Sequence, residues 1–155
     1  GVVHGAVFGG ALGLIACCDY VFAEEKTQFC FSEVKLGLAP AVISHFVVRK
    51  ASLAAVMPWM LSAQVLSVKD LQSAHLVHEV FSQTAVIEKY LEYFIEAGGE
   101  AVRETKKLLR NIEGASWQDS KNYTTKVIAE RRVSAEGQEG LKAFLEKRTP
   151  AWRSL

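Results

Sequence analysis

From Val2 to Cys18 the chain is a nearly continuous apolar run, broken by His4 and by Gly5, Gly9, Gly10 and Gly13. Within it Val2-Val3 reads as a short strand, Gly5 to Gly10 as a glycine-rich turn, and Ala11 to Cys17 as a buried helix with no polar face. Tyr20 to Ala23 and Thr27 to Phe31 are rich in β-branched and aromatic residues and flank Glu24-Glu25-Lys26, so they predict two more strands. Past Pro40 the period lengthens to that of a helix, with Val42, Phe46 and Val47 on one face, then Leu53, Val56 and Met60 in a second segment that Pro58 interrupts. Ser67 with Asp70 forms a capping box for a short helix ending near His75, and Leu76 to Phe81 alternates as a brief strand. The remainder predicts helices: Thr84 to Ala97, stopped by Gly98-Gly99, then Glu100 to Ile112, and two more capped by Ser116 and Ser134. The expected division is an α/β part over residues 1-80 and a helical part over 81-155.

Composition narrows the class of protein. With 155 residues, 50% hydrophobic and 23% charged, the chain fits a globular domain with one ordinary core, and it has no repeat or low-complexity linker. A net charge of +1 supplies no field that would draw nucleic acid or an anionic membrane, so any anion must be bound locally. The opening apolar run imitates a signal peptide or membrane span, but it has no cationic flank, its glycines interrupt it, and Asp19 closes it. A strand, turn and buried helix is the better reading, and the expected location is cytoplasmic. The chain starts at Gly1 inside a strand-like segment, which leads us to expect an amino-terminal portion before it. Cys17, Cys18 and Cys30 match no zinc or CxxC spacing and read as buried thiols. His4, His45, His75 and His78 are scattered without ligand spacing, so no metal site is expected. Lys106, Lys107 and Arg110 read as a solvated basic face.

Two features carry chemistry. Gly9 and Gly10 stand where a helix begins, and glycine lets a ligand approach the backbone N–H groups there closely enough to stabilise a developing oxyanion. Taken alone, glycines at such a turn serve close packing. Glu33 lies between the apolar segments TQFCF and VKLGLAP, a place that argues for partial burial, whereas its plain reading is one solvated carboxylate among many.

The order of these features is more specific than any one of them. GAVFGGALGL, then CCDYVFAEEKTQF, then SEVKLGLAP resembles the crotonase (enoyl-CoA hydratase/isomerase) superfamily, with its glycine turn, its Ala-Cys-Asp lead-in to a strand pair and its P/S-E-x-x-L-G-x-x-P segment. SAEGQEGLKAFLEKRTPAW is similar to the closing helix and ending of that family. The resemblance is less clear between Ala51 and Ser116.

The resemblance implies an α/β crotonase-like fold, a spiral of ββα units, with a helical carboxy-terminal region that builds a trimer or a dimer of trimers. It implies that Gly10 donates one of two oxyanion hydrogen bonds, the other donor lying upstream, and that Glu33 is the general acid/base. Gly9 and Ala41 would line the substrate, while Phe144 and Lys147, with Arg148 beside them, would meet the adenine and 3′-phosphate end of CoA. The substrate would be an acyl-CoA thioester, with coenzyme A part of it and no separate cofactor. Gly13 stands where two-glutamate hydratases carry their first carboxylate, so one acid must do the work of two. Ser44 or His45, which follow Pro40 in place of the usual glycines, could position water or simply cap and pack the helix. GGALGL, FSEVKLGLAPAVIS and RVSAEGQEGLKAFLEKR are most similar to bacterial methylglutaconyl-CoA hydratases of leucine breakdown. A family isomerase, a carrier-linked dehydratase, or a non-catalytic CoA-binding or assembly subunit are the alternatives.

Overall fold

A computed structural model describes residues 1–153. The chain divides into two compact units, Gly1–Ile87 and the residues from Glu88 onward.

The first unit is α/β, and its strands pair in parallel throughout. Strands β1 (Val2–Val3), β3 (Phe22–Glu24) and β5 (Glu79–Phe81) form one sheet in that order, and β2 (Ala6–Phe8) pairs with β4 (Gln28–Cys30) in a second. The segment Gly5 to Gly10 is therefore not wholly a turn, because Val7 buries its side chain inward from β2 and the chain bends at Gly5 and Gly9 on either side of that strand. Likewise Tyr20-Val21 precedes β3 rather than opening it: the Val21 N–H donates 3.0 Å to His78 Nδ1, so it is paired outside the ladder.

Helices α1 (Gly10–Cys17), α2 (Ala41–Lys50), α3 (Leu53–Ser62) and α4 (Val68–Ser73) cover these sheets. Leu12, Val47, Val56, Phe29, Phe31, Leu71 and Leu76 are fully buried and form one continuous core. Pro58 does not break α3, which continues to Ser62; the proline removes one backbone donor, a loss that core packing through Val56 outweighs. The expected Ser67–Asp70 capping box is formed, with Ser67 N donating 2.7 Å to the Asp70 carboxylate and Asp70 N donating 3.4 Å to Ser67 Oγ. No helix among the described residues is long and apolar enough to cross a membrane.

The second unit is helical: α5 (Ala85–Ile95, which begins in the first unit), α6 (Gly99–Ile112), α7 (Trp117–Val133) and α8 (Ala135–Leu145). Ser116 and Ser134 cap α7 and α8 by accepting from Asp119 N and Gly137 N. Glu136 ties three helices, because its carboxylate accepts from Glu100 N (2.9 Å) and Ala101 N (2.7 Å) at the start of α6 and from Arg131 Nη2 (3.0 Å) at the end of α7. A Cβ at Gly98 would stand 2.7 Å from that carboxylate, so the missing side chain is what lets α6 approach. Lys107 pairs with Glu104 at 2.7 Å, in keeping with a solvated face. Ala143 is the one buried hydrophobic side chain among the described residues of this unit, while Leu91, Phe94, Ile95, Leu109, Ile128, Phe144 and Leu145 lie exposed.

Two expectations follow. Phe29→Ala removes a fully buried ring from the β4 side of the core and should cost about 3–5 kcal/mol, read as a lower urea midpoint at unchanged slope. Glu139, which accepts from Arg148 and from Ala151 N, is held down at about 2 from an ordinary 4.5 by the Arg148 hydrogen bond first and the backbone bond second. A carboxyl depressed in the folded state stabilises fully above its unfolded value and loses that contribution as pH falls toward the folded one. The stability difference between the native chain and Glu139→Gln should therefore shrink between pH 4.5 and about 2, measured by thermal unfolding across that window.

Candidate active site

Parallel pairing decides what stands next to what. Phe8 is in register with Cys30, so the ends of β2 and β4 emerge side by side, one into α1 and the other into the 3₁₀ turn Glu33–Leu36. Gly9 N donates 2.9 Å to Cys30 O, which extends the ladder one step beyond β2 and fixes the helix start against the Ser32-Glu33 segment. At Gly9 the backbone then takes φ 53° and ψ −124°, a conformation that disfavours any residue with a Cβ. A Cβ built there would lie 3.6 Å from Glu33 Oε1 and 3.6 Å from Ser32 Oγ, so this carboxylate sits directly beside the amino-terminal end of α1.

Gly10 opens α1, and the first N–H groups of a helix have no intrahelical acceptor. Both Gly10 and Glu33 line one cleft of about 470 Å³, completed by Gly13, Leu14 and Cys17 from α1 and by residues 39–43 and Phe46. Ala41, the first residue of α2, is part of the same wall. Glu33 is half-buried, and its Oε2 is buried with no hydrogen-bond partner among the described residues. Such an orphan acceptor costs about 1–3 kcal/mol unless something fills it, which marks the spot as a place where a donor is wanted.

The cleft walls are set by how tightly α1 and α2 meet. A Cβ on Gly13 would fall 2.4 Å from Ile43 Cγ2 and 2.9 Å from Ile43 Cβ, so no side chain of any kind fits at position 13 as the helices stand. Lys50 reinforces the pair from the far end by donating to Cys18 O (2.5 Å) and to Ile15 O (3.4 Å), carbonyls at the end of α1. Burial lowers the pKa of this ammonium, and the nearby Cys18, Asp19 and Cys17 partly offset that.

Several expectations need correcting. Helix α1 is not buried all round, because Leu14 is 72% exposed and faces the cleft side, and Cys17 is exposed and Cys18 half-exposed, leaving Cys30 as the buried thiol. Ser44 and His45 do not line the cleft: Ser44 Oγ donates 2.6 Å to Pro40 O one turn back, and His45 packs edge-on against Phe46. Phe144 and Lys147 belong to the second unit, where both are exposed; Lys147 adopts φ 54° just past the end of α8. Arg148 is engaged by Glu139 at 2.6 and 2.9 Å and by Glu146 at 2.7 Å. Leu14, Val42, Ile43 and Phe46 are cleft residues that sequence reasoning did not single out, since as helical apolar positions they read as core.

Comparison with known proteins identifies the family and the fold. The enoyl-CoA hydratase/isomerase family profile matches residues 1–154. The fold is that of the crotonases: the chain is similar to a crystal structure of an enoyl-CoA hydratase from Shewanella pealeana, with TM-score 0.92 and 40% identity, covering 97% of this chain and 58% of that one. It is 31% identical over 159 residues to the mitochondrial enoyl-CoA hydratase domain-containing protein 3 of Danio rerio, 97% of this chain and 53% of that protein. It is also 26% identical over 155 residues to the 2,3-dehydroadipyl-CoA hydratase of Escherichia coli, 97% and 61% respectively. The chain belongs to the enoyl-CoA hydratase/isomerase family, and it spans about three fifths or less of the length of these relatives.

The tightness of the α1–α2 contact can be measured. Gly13→Ala should destabilise by about 1–3 kcal/mol despite the better helix propensity of alanine. The same change in an Ile43→Ala background should cost at least about 0.5 kcal/mol less, the two denaturation series forming a double-mutant cycle.

Proposed function

We propose that this chain carries the greater part of the active site of an enoyl-CoA hydratase, which adds water reversibly across the 2,3 double bond of a CoA thioester. The observation that carries this reading is that Gly10 and Glu33 line one cleft while a buried oxygen of Glu33 has no partner. In the proposed reaction the thioester oxygen accepts a hydrogen bond from Gly10 N–H, which stabilises the enolate-like charge that builds as C3 is attacked. Glu33 takes one proton from water as the oxygen bonds to C3, and the same carboxyl returns a proton to C2 on the same face. Oxygen and both hydrogens of water are then accounted for, and Glu33 ends ionised as it began. Gly9 and Ala41 bound the space around the acyl group. Coenzyme A comes as part of the substrate, with Phe144 and Lys147 proposed to meet its adenine and 3′-phosphate end from a neighbouring copy.

The finer substrate we propose is 3-methylglutaconyl-CoA. Its β-methyl group suits the aliphatic side of the cleft formed by Leu14, Val42 and Ile43. None of the residues lining the cleft is cationic, so on this reading the distal carboxylate meets a group outside that lining. The Escherichia coli relative is named for another thioester of a dicarboxylic acid. The nearly coreless helical unit, with its exposed Phe94, Ile95 and Leu109, supports an assembly of several copies, proposed as a trimer or a pair of trimers. A double-bond isomerase is favoured as the second reading by one feature, the absence of room for a second carboxylate at Gly13.

In the full-length protein, Glu33→Gln should lower hydratase kcat by roughly 10² to 10⁴ with the melting temperature nearly unchanged. Near-normal turnover in that variant would remove Glu33 from the mechanism. Product analysis on 3-methylglutaconyl-CoA and a 3-enoyl-CoA separates hydration from isomerisation.

A further inference from the structure

We propose that Ile43 is a specificity-determining residue that limits the bulk of the acyl group accepted by the cleft, an inference that rests on reading the cleft as the thioester site. Ile43 is 6% exposed, yet it lines the cleft, and its side chain is pressed against Gly13, another lining position and the one on α1 where no Cβ can stand. The branched side chain therefore forms a fixed floor rather than a movable flap. It cannot retreat toward α1, because its Cγ2 already occupies the place a Gly13 Cβ would take. Nor can it swing out readily, since Lys50 holds the end of its helix to the Ile15 and Cys18 carbonyls. The neighbouring cleft residues differ in kind: Leu14 at 72% and Val42 at 84% exposed have room to move aside. Among the aliphatic residues of the wall, Ile43 is thus the one whose volume translates directly into room for substrate.

A hydrophobic site discriminates by roughly 10- to 200-fold for each methylene it admits or refuses. Ile43→Ala removes three carbons from the floor, and Ile43→Val removes one. In the full-length protein, the ratio of kcat/KM for 2-octenoyl-CoA to that for crotonyl-CoA should rise at least tenfold in Ile43→Ala and in the same direction, by less, in Ile43→Val. The valine variant keeps the test alive if the alanine variant does not fold. The ratio is the readout because a loss of stability alone would depress both substrates together. A ratio unchanged within twofold in the folded variants would overturn the assignment of Ile43 even while hydration of both substrates upheld the reading of the cleft. If the native protein hydrates neither substrate, the hydratase reading is decided by turnover of 3-methylglutaconyl-CoA, and competition between octanoyl-CoA and butyryl-CoA for binding takes over as the measure for Ile43. A tenfold shift in their relative affinities supports Ile43 as the floor of a binding cleft, and an unchanged preference rejects it.

Discussion

The three-residue parallel ladder between β2 and β4 is the constraint on which the site depends. Parallel strands send their ends the same way, so the elements that follow them emerge as neighbours although they lie more than twenty residues apart in sequence. One strand ends in a helix start whose first N–H, that of Gly10, has no intrahelical acceptor, and the other ends in a turn that opens with a carboxylate. The Gly9 to Cys30 hydrogen bond carries the pairing past the last ladder residue and sets the distance between them. A slip of one residue would turn Val7 and Phe29 away from the core, so hydrophobic burial enforces the register that the chemistry requires.

Around this ladder the cleft is built by subtraction. Gly9 has no side chain because its backbone torsion and the nearby Glu33 carboxylate leave little reason for one, and Gly13 has none because Ile43 is already there. The result is a site with a single carboxyl group among largely apolar walls, where low polarity strengthens whatever hydrogen bond the helix start can offer. The second unit follows a different economy, in which carboxylates such as Glu136 and Glu139 organise helix ends and hydrophobic residues remain largely outside.

Much of this was legible in the chain itself. Ser67, Ser116 and Ser134 announced their helices because capping is a local hydrogen bond between residues three apart, and the Gly9-Gly10 helix start was visible because paired glycines mark a turn in the backbone. The short strand β2 was hidden inside a glycine-rich run, since three residues are too few to display a period of two. Pro58 read as a break, yet tertiary burial of Val56 carries α3 through it. The Gly13–Ile43 contact spans thirty positions and follows from helix crossing, which no local pattern encodes; the glycine was noticeable only as a departure from a family pattern. Leu14 and Phe46 were invisible as cleft residues because an apolar helical position looks the same whether it faces a core or a cavity.

Strand β4 is held on both edges. Opposite β2, Phe29 exchanges backbone hydrogen bonds of 3.0 and 2.8 Å with Leu66, and Cys30 Sγ reaches Ala63 O at 3.2 Å. The loop between α3 and α4 is thereby clamped to the strand that delivers Glu33, and among the described residues no such hydrogen bond joins it to β2. The α3–α4 junction is thus the outer edge partner of the strand that leads into Glu33, and its backbone helps fix where that carboxylate stands.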